Sequence, residues 1–259
     1  MLHQLLTIAH HFARITLHNP PANVLNHSVL KELELVWNEL EEDEYVRAVI
    51  VTGTGRFFCA GADINELVHL HTEHGGSEFA SCGQALLNRI ERSDKPVLAA
   101  INGTCVGGGL ELALACHIRV AAAGAMLGLP EIKLGLIPGF GGTQRLPRIV
   151  GPSKSAEMIL TGKSVSAEEA LRIGLLSQVV PLHELITQVE VIAASITTHG
   201  KIAVEAALHA IRGGIDIPLS EGLAREAELF GRLCATSDKH EAAQAFLEKR
   251  QPKLAETEA

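Results

Sequence analysis

Two hydrophobic rhythms alternate along the first half of the chain, and that alternation restricts the fold more than any other feature. Short β-forming runs, LLTIA, ARITL and RAVIVTG, are separated by SVLKELELVWNELEED, where apolar residues recur at helical spacing. The pattern continues with a helix expected over 77–92, the run PVLAAING, a short helix opening after Gly107, Gly108 and Gly109, and the strand-like IRVAA. Strands alternating with helices in this way predict an α/β fold. From about Ser153 helical signals dominate. SKSAEMILTG is followed by SAEEALRIG, with Ser166 and Glu169 spaced as a capping box and Gly174 as a stop, then by three longer amphipathic stretches to Arg250. The expected organisation is an α/β core over 1–195 and a helical region over 196–259, with QPKLAETEA as a loose tail.

Composition removes several function classes. At 47% hydrophobic and 20% charged residues, the 259-residue chain has the balance of a folded protein. A net charge of -8 is the wrong sign for neutralising phosphates, and one Trp with one Tyr makes no stacking platform, so no nucleic-acid partner is expected. No apolar run approaches membrane-spanning length. Cys59, Cys82, Cys105, Cys116 and Cys234 are odd in number and lack CxxC spacing, which indicates neither a disulfide framework nor a zinc site. The N-terminus MLHQLLTIAHHFARI has no basic residue before Arg14 and no small-residue cleavage signal. A cytoplasmic location is expected.

Three glycine-rich segments sit at expected strand or helix junctions: FFCAGADI at 57–64, INGTCVGGGLELA at 101–113 and LPEIKLGLIPGFGGTQRL at 129–146. Glycines that open a helix expose unpaired N–H groups, which can hold an oxyanion. Read alone, the triple glycine is better explained by close packing, Glu111 by a helix-dipole partner and Glu131 by a solvated loop carboxylate, and Asp63 also suits a cap or turn residue. Other motifs fail on spacing. GTGRFF and GFGGTQ do not complete GxGxxG, and GPSKS breaks GxSxG at its last position. His69, His71 and His74 lack HExxH and are read as an exposed helix end or loop without a metal.

In this order, the segments resemble the signature of the enoyl-CoA hydratase (crotonase) family, within the enoyl-CoA hydratase/isomerase superfamily. NPPANVLN at 19–26 and the C-terminal ATSDKHEAAQAFLEKRQPK extend the resemblance over nearly the whole chain. It implies a crotonase (ClpP-like) spiral of ββα units. It also implies oxyanion-hole amides at Ala62 and Gly108, and catalytic carboxylates at Glu111 and Glu131. Substrate or CoA contacts are implied at Ala22, Val24, Ala60, Asp63, Ile64 and Gly139, with Phe246 and Lys249 approaching the CoA of an adjacent subunit. The implied assembly is a homotrimer or a hexamer built as a dimer of trimers. No cofactor is implied, because CoA belongs to the acyl-CoA thioester substrate.

The implied reaction is syn addition of water to a trans-2-enoyl-CoA, giving a 3-hydroxyacyl-CoA in fatty acid β-oxidation or related acyl-CoA catabolism. Attack of oxygen at C3 drives charge onto the thioester oxygen, where two amides would stabilise it. Glu131 is implied as the main proton donor and acceptor, and Glu111 as the group that orients the water. Both carboxylates favour hydration over 3,2-enoyl-CoA isomerisation, a specialised acyl-CoA hydration, or a non-catalytic acyl-CoA or RNA-binding homologue. The chain departs from many relatives at Asn65, where a Lys is common near the nucleotide, and from some at Leu129, where a Gln is found and acyl-pocket shape is affected.

Overall fold

The computed structural model describes residues 5–254. β1 (Leu6–Ala9) and β2 (Phe12–Leu17) form a hairpin, and α1 (His27–Glu42) leads into β3 (Ala48–Gly53), β4 (Phe57–Cys59), α2 (Ile64–Leu67) and α3 (Glu73–Glu91). Next come β5 (Val97–Ile101), β6 (Thr104–Val106), α4 (Gly108–Ala115), β7 (Ile118–Ala122) and β8 (Met126–Gly128). A 3-10 turn at Glu131–Leu134 precedes α5 (Gly142–Val150), α6 (Pro152–Thr161), β9 (Val165–Ser166), α7 (Ala167–Arg172) and β10 (Gln178–Val180). The chain closes with α8 (Leu185–Thr197), α9 (Lys201–Gly214), α10 (Leu219–Cys234) and α11 (Ser237–Glu248).

Each repeat of the core gives one strand to each of two sheets. β3, β5 and β7 lie in a six-stranded sheet ordered β1-β2-β3-β5-β7-β10, while β4, β6 and β8 lie in a four-stranded sheet ordered β4-β6-β8-β9. Helices follow the pairs β3–β4 and β5–β6, which is the expected spiral of ββα units. The larger sheet is parallel apart from its β1–β2 hairpin, and a parallel sheet is covered on both faces. Alternation divides its side chains. Val49, Val51, Val97, Ala99 and Ile101 enter the main core, whereas Ala48, Ile50, Leu98, Ala100 and Val120 pack against Leu185, Val189 and Ala193 of α8.

α1 forms because Asn26 caps it, accepting from Val29 N–H at 2.9 Å, and because Leu30, Leu33, Val36, Trp37 and Leu40 make one buried face. Asn23 fastens the loop before it. Its buried amide donates to the carbonyls of Thr54 at 3.0 Å and Phe57 at 2.8 Å, fixing residues 19–24 against the β3–β4 turn.

The structure corrects several expectations. α3 starts at Glu73 rather than 77, because Thr72 accepts from Gly75 N–H and carries the helix through Gly75 and Gly76. Four helices, not three, run from Leu185 to Glu248; α10 starts after Pro218, which cannot lie inside a continuous helix without breaking its ladder. Ser166 caps α7 through Glu169 N–H, but the Glu169 carboxylate binds Arg172 and Lys154, so only half of the capping box forms. The supposed loose tail begins packed, with Leu254 buried and Lys253 N–H bonded to Glu241 at 2.8 Å; its residues 255–259 lie outside the described residues. His69, His71 and His74 are exposed around the start of α3. No helix among the described residues is long and apolar enough to cross a membrane.

Candidate active site

The smaller sheet explains why residues far apart in sequence converge. β4 and β6 pair in parallel with Cys59 opposite Cys105, and β6 pairs with β8 with Val106 opposite Gly128. Three residues beyond Cys59, Cys105 and Gly128 stand Ala62, Gly108 and Glu131, all leaving the sheet at one edge. Carboxyl ends of parallel strands are where open α/β sheets bind ligands.

At that edge two N–H groups are free of backbone partners. Leu25 bonds to both neighbours of Ala62, donating to Gly61 O at 2.8 Å and accepting from Asp63 N at 3.1 Å, which turns the N–H of Ala62 the other way. Gly108 N–H opens α4, where first-turn donors lack intrahelical acceptors. Among the described residues neither N–H has a backbone acceptor. They are neighbours: a Cβ at Gly108 would lie 3.4 Å from Ala62 N.

Glu111, in the first turn of α4, is only 2% exposed. Its Oε1 accepts from Phe140 N–H at 2.8 Å and Gly142 N–H at 2.7 Å. Burial pushes this carboxyl up to about 7; the Gly142 bond opposes the rise, the nearby Glu131 adds to it, and the Phe140 bond and Arg145 oppose it. Burial raises the Glu131 carboxyl as well, and its Oε2 is buried with no hydrogen-bond partner among the described residues. Gly107, at φ +56, lets Glu131 come close, since a Cβ there would meet Oε1 at 3.2 Å.

A raised carboxyl pKa sets the sign of a stability effect. Between 4.5 and about 7 the folded state keeps a proton that the unfolded Glu111 has lost, so this contribution to stability falls as pH rises through that window. Glu111→Gln removes it. Urea unfolding at fixed protein concentration should therefore show the variant gaining about 3 kcal/mol on wild type between pH 4.5 and pH 8. A difference that stays constant with pH would contradict the raised value.

All four groups border a cavity of about 810 Å³. Its apolar wall includes Leu67, Leu70, Phe79, Ala80, Leu136 and Ile137, and Ala60, Ile64 and Gly139 also line it. Gly139 O accepts from Gln84 at 2.8 Å. Ala22 supports the rim from behind, its carbonyl accepting from Ala60 N–H at 3.0 Å, and Val24 is half-buried in the same loop. Asp63 caps α2, accepting from Asn65 N–H at 2.9 Å, and does not line the cavity. Phe246, 83% exposed, and Lys249 lie outside the cavity lining of this chain. Leu129 is wholly buried and is not a wall residue; its Cδ1 would lie 2.9 Å from a Cβ at Gly142, so it bears on the site through the 140–142 segment. Sequence reasoning missed that segment's two amides, Arg145 behind it, and the α3 wall.

Two amides without backbone partners stand beside two carboxyls whose titration burial raises, an arrangement that can hold a negative oxygen and exchange protons next to it. The chain belongs to the enoyl-CoA hydratase/isomerase family, whose model matches residues 7–257. It is 44% identical over 250 residues to a probable enoyl-CoA hydratase of Bacillus subtilis (strain 168), covering 96% of this chain and 97% of that one. It is 43% identical to a short-chain-enoyl-CoA hydratase of Clostridium acetobutylicum, covering 92% of each. An enoyl-CoA hydratase crystal structure from Bacillus anthracis superimposes with a TM-score of 0.92 at 41% identity, covering 97% of this chain and 99% of that one. The expected crotonase fold is thereby borne out.

Proposed function

We propose that the protein adds water syn across the C2–C3 bond of trans-2-enoyl-CoA thioesters, giving 3-hydroxyacyl-CoA. The observation that carries this reading is the free pair of N–H groups at Ala62 and Gly108 facing a cavity that Glu111 and Glu131 also border. The thioester oxygen accepts from both amides, which stabilise it as C3 is attacked. Glu131 takes a proton from the water as its oxygen bonds to C3, and returns a proton to C2. Two amides hold Oε1 of Glu111, leaving Oε2 to orient the water. Burial raises the titration of both carboxyls, Glu111 to about 7, which brings them closer to the range where a group can take up and release a proton. These steps call on the chain's own donors and carboxyls, with CoA entering as part of the substrate.

The relatives named enoyl-CoA hydratase and short-chain-enoyl-CoA hydratase support the substrate class. The helices after residue 196 are proposed as an oligomerisation and CoA-covering region, in a homotrimer or a dimer of trimers. The exposed Ile211, Ile215, Leu219, Leu223 and Phe230 support that role, and Phe246 and Lys249 are assigned to a neighbour's CoA. A cytoplasmic location accords with the odd, scattered cysteines.

Incubation with crotonyl-CoA should consume the conjugated enoyl absorbance and yield 3-hydroxybutyryl-CoA. A 3-enoyl product would reassign the chemistry to isomerisation. Absence of turnover on every straight-chain trans-2-enoyl-CoA would overturn the hydratase reading.

A further inference from the structure

We infer that Arg145 is a positioning residue for the hydration: its guanidinium fixes the Phe140–Gly142 backbone whose two N–H groups hold Glu111. Arg145 is a buried cation in α5, a helix that otherwise reads as amphipathic surface. Its Nη1 donates to Phe140 O at 2.9 Å, so the same residue that gives its N–H to Glu111 gives its carbonyl to Arg145. The rest of the fork is tied to α3. Nη2 donates to Asn88 Oδ1 at 2.6 Å and to Glu91 Oε2 at 2.9 Å, and Nε donates to Glu91 Oε2 at 3.0 Å. A planar fork spreads its donors over three nitrogens in fixed directions, so it reaches a backbone carbonyl on one side and two side chains on the other, whereas an ammonium gathers its donors on one atom.

Gly141 shows how closely the guanidinium lies on this backbone. A Cβ there would come 2.3 Å from Arg145 Nη1, and the residue sits at φ +108. Arg145 thus lies under the segment, α3 behind it and Glu111 in front. Both amides must point at one oxygen, so a shift of the Phe140–Gly141 peptide would release Glu111 Oε1 and let the carboxyl turn.

Charge provides a readout that fold damage alone does not. Glu111 is faced by Glu131 from the turn after β8 and by Arg145 from α5; Arg145 is faced in turn by Glu91 from α3. Removing the guanidinium deletes the positive charge near Glu111 and loosens its two amides, both of which hold its titration down. The limb of the kcat profile that reports Glu111 should therefore move to higher pH. A merely smaller population of folded enzyme would leave that limb where it is.

The inference rests on the reading of Glu111 as a catalytic residue, and a double-mutant cycle separates the two. kcat and KM for crotonyl-CoA are measured in wild type, Arg145→Gln, Arg145→Lys, Glu111→Gln and the Arg145→Gln/Glu111→Gln double variant. Arg145→Gln should lower kcat by about 10²-fold with KM nearly unchanged. Arg145→Lys should recover part of that loss. In the Glu111→Gln background the Arg145 substitution should cost less than about threefold, because the group it acts through is already gone. Equal losses in both backgrounds, a loss carried by KM, or an unmoved pH limb would overturn the role of Arg145. A near-wild-type Glu111→Gln enzyme would instead overturn the Glu111 reading, and this inference with it. Should Arg145→Gln fail to fold by circular dichroism, Glu91→Gln takes its place in the cycle, with the same non-additivity expected and the same additive result overturning it.

Discussion

Glu131→Gln is expected to lower kcat for crotonyl-CoA hydration by about 10³-fold, the scale on which a positioned acid–base group contributes. The amide has the shape of the carboxyl it replaces, so the cavity wall and the close approach over Gly107 should survive. What it lacks is an oxygen that can take up and release a proton. Glu131 Oε2 is buried without a protein partner among the described residues, so the substitution breaks no hydrogen bond at that oxygen. KM should therefore change little, and thermal stability should not fall. A variant within tenfold of wild type at saturating crotonyl-CoA would remove Glu131 from the proposed proton transfers.

The second large effect concerns a donor that carries no side chain. Gly108→Pro should lower kcat by about 10²- to 10³-fold, the usual cost of deleting one oxyanion-hole donor. Proline is tolerated at the first position of a helix, where its missing N–H has no intrahelical acceptor, so α4 itself should persist. The comparison that controls for the added Cβ is Gly108→Ala. Both variants bring a Cβ toward Phe140 Cδ2, 3.2 Å from the ideal position, but only alanine keeps the donor. Equal losses in the two would mean that crowding against Phe140, and not hydrogen bonding to the thioester oxygen, explains the defect.

Legibility in the sequence followed from how locally each feature was determined. β3 and β5 could be read directly because AVIVTG and VLAAI are apolar on both faces, as strands of a parallel sheet covered by helices must be. The second sheet escaped notice. β4, β6 and β8 have three residues each, too few to show a period of two, and glycines crowd their ends. They are strands because of the neighbours they pair with.

The candidate site was legible in a different way. The spacing of Glu111 after the triple glycine and of Glu131 after Pro130 pointed to chemistry only once all the segments were taken together as a family resemblance. Their elevated titration has a tertiary cause, since it depends on burial against loops that arrive from elsewhere. Arg145 illustrates the limit. In GTQRLPRIV a cation reads as solvent-facing, and nothing local predicts that it will be buried against a glutamate 54 positions earlier. The fourth helix of the C-terminal region was more accessible, as Pro218 stood in the sequence as a break.

Ala62, Gly108 and Glu131 each follow a paired strand residue by the same short interval. The proposed chemistry therefore rests on three counted exits from one sheet edge, while the acyl chain would meet walls supplied by other stretches, chiefly α2, α3 and residues 134–138. Those two parts of the chain answer to different tolerances. Side chains in the walls can change size and admit a longer, shorter or more polar acyl group, leaving the exits untouched. An insertion or deletion of one residue at any exit would move a donor or an acid out of reach without altering a single wall. Lineages carrying this arrangement should thus record their changes of diet as substitutions in the walls, and keep the lengths of the three exits constant.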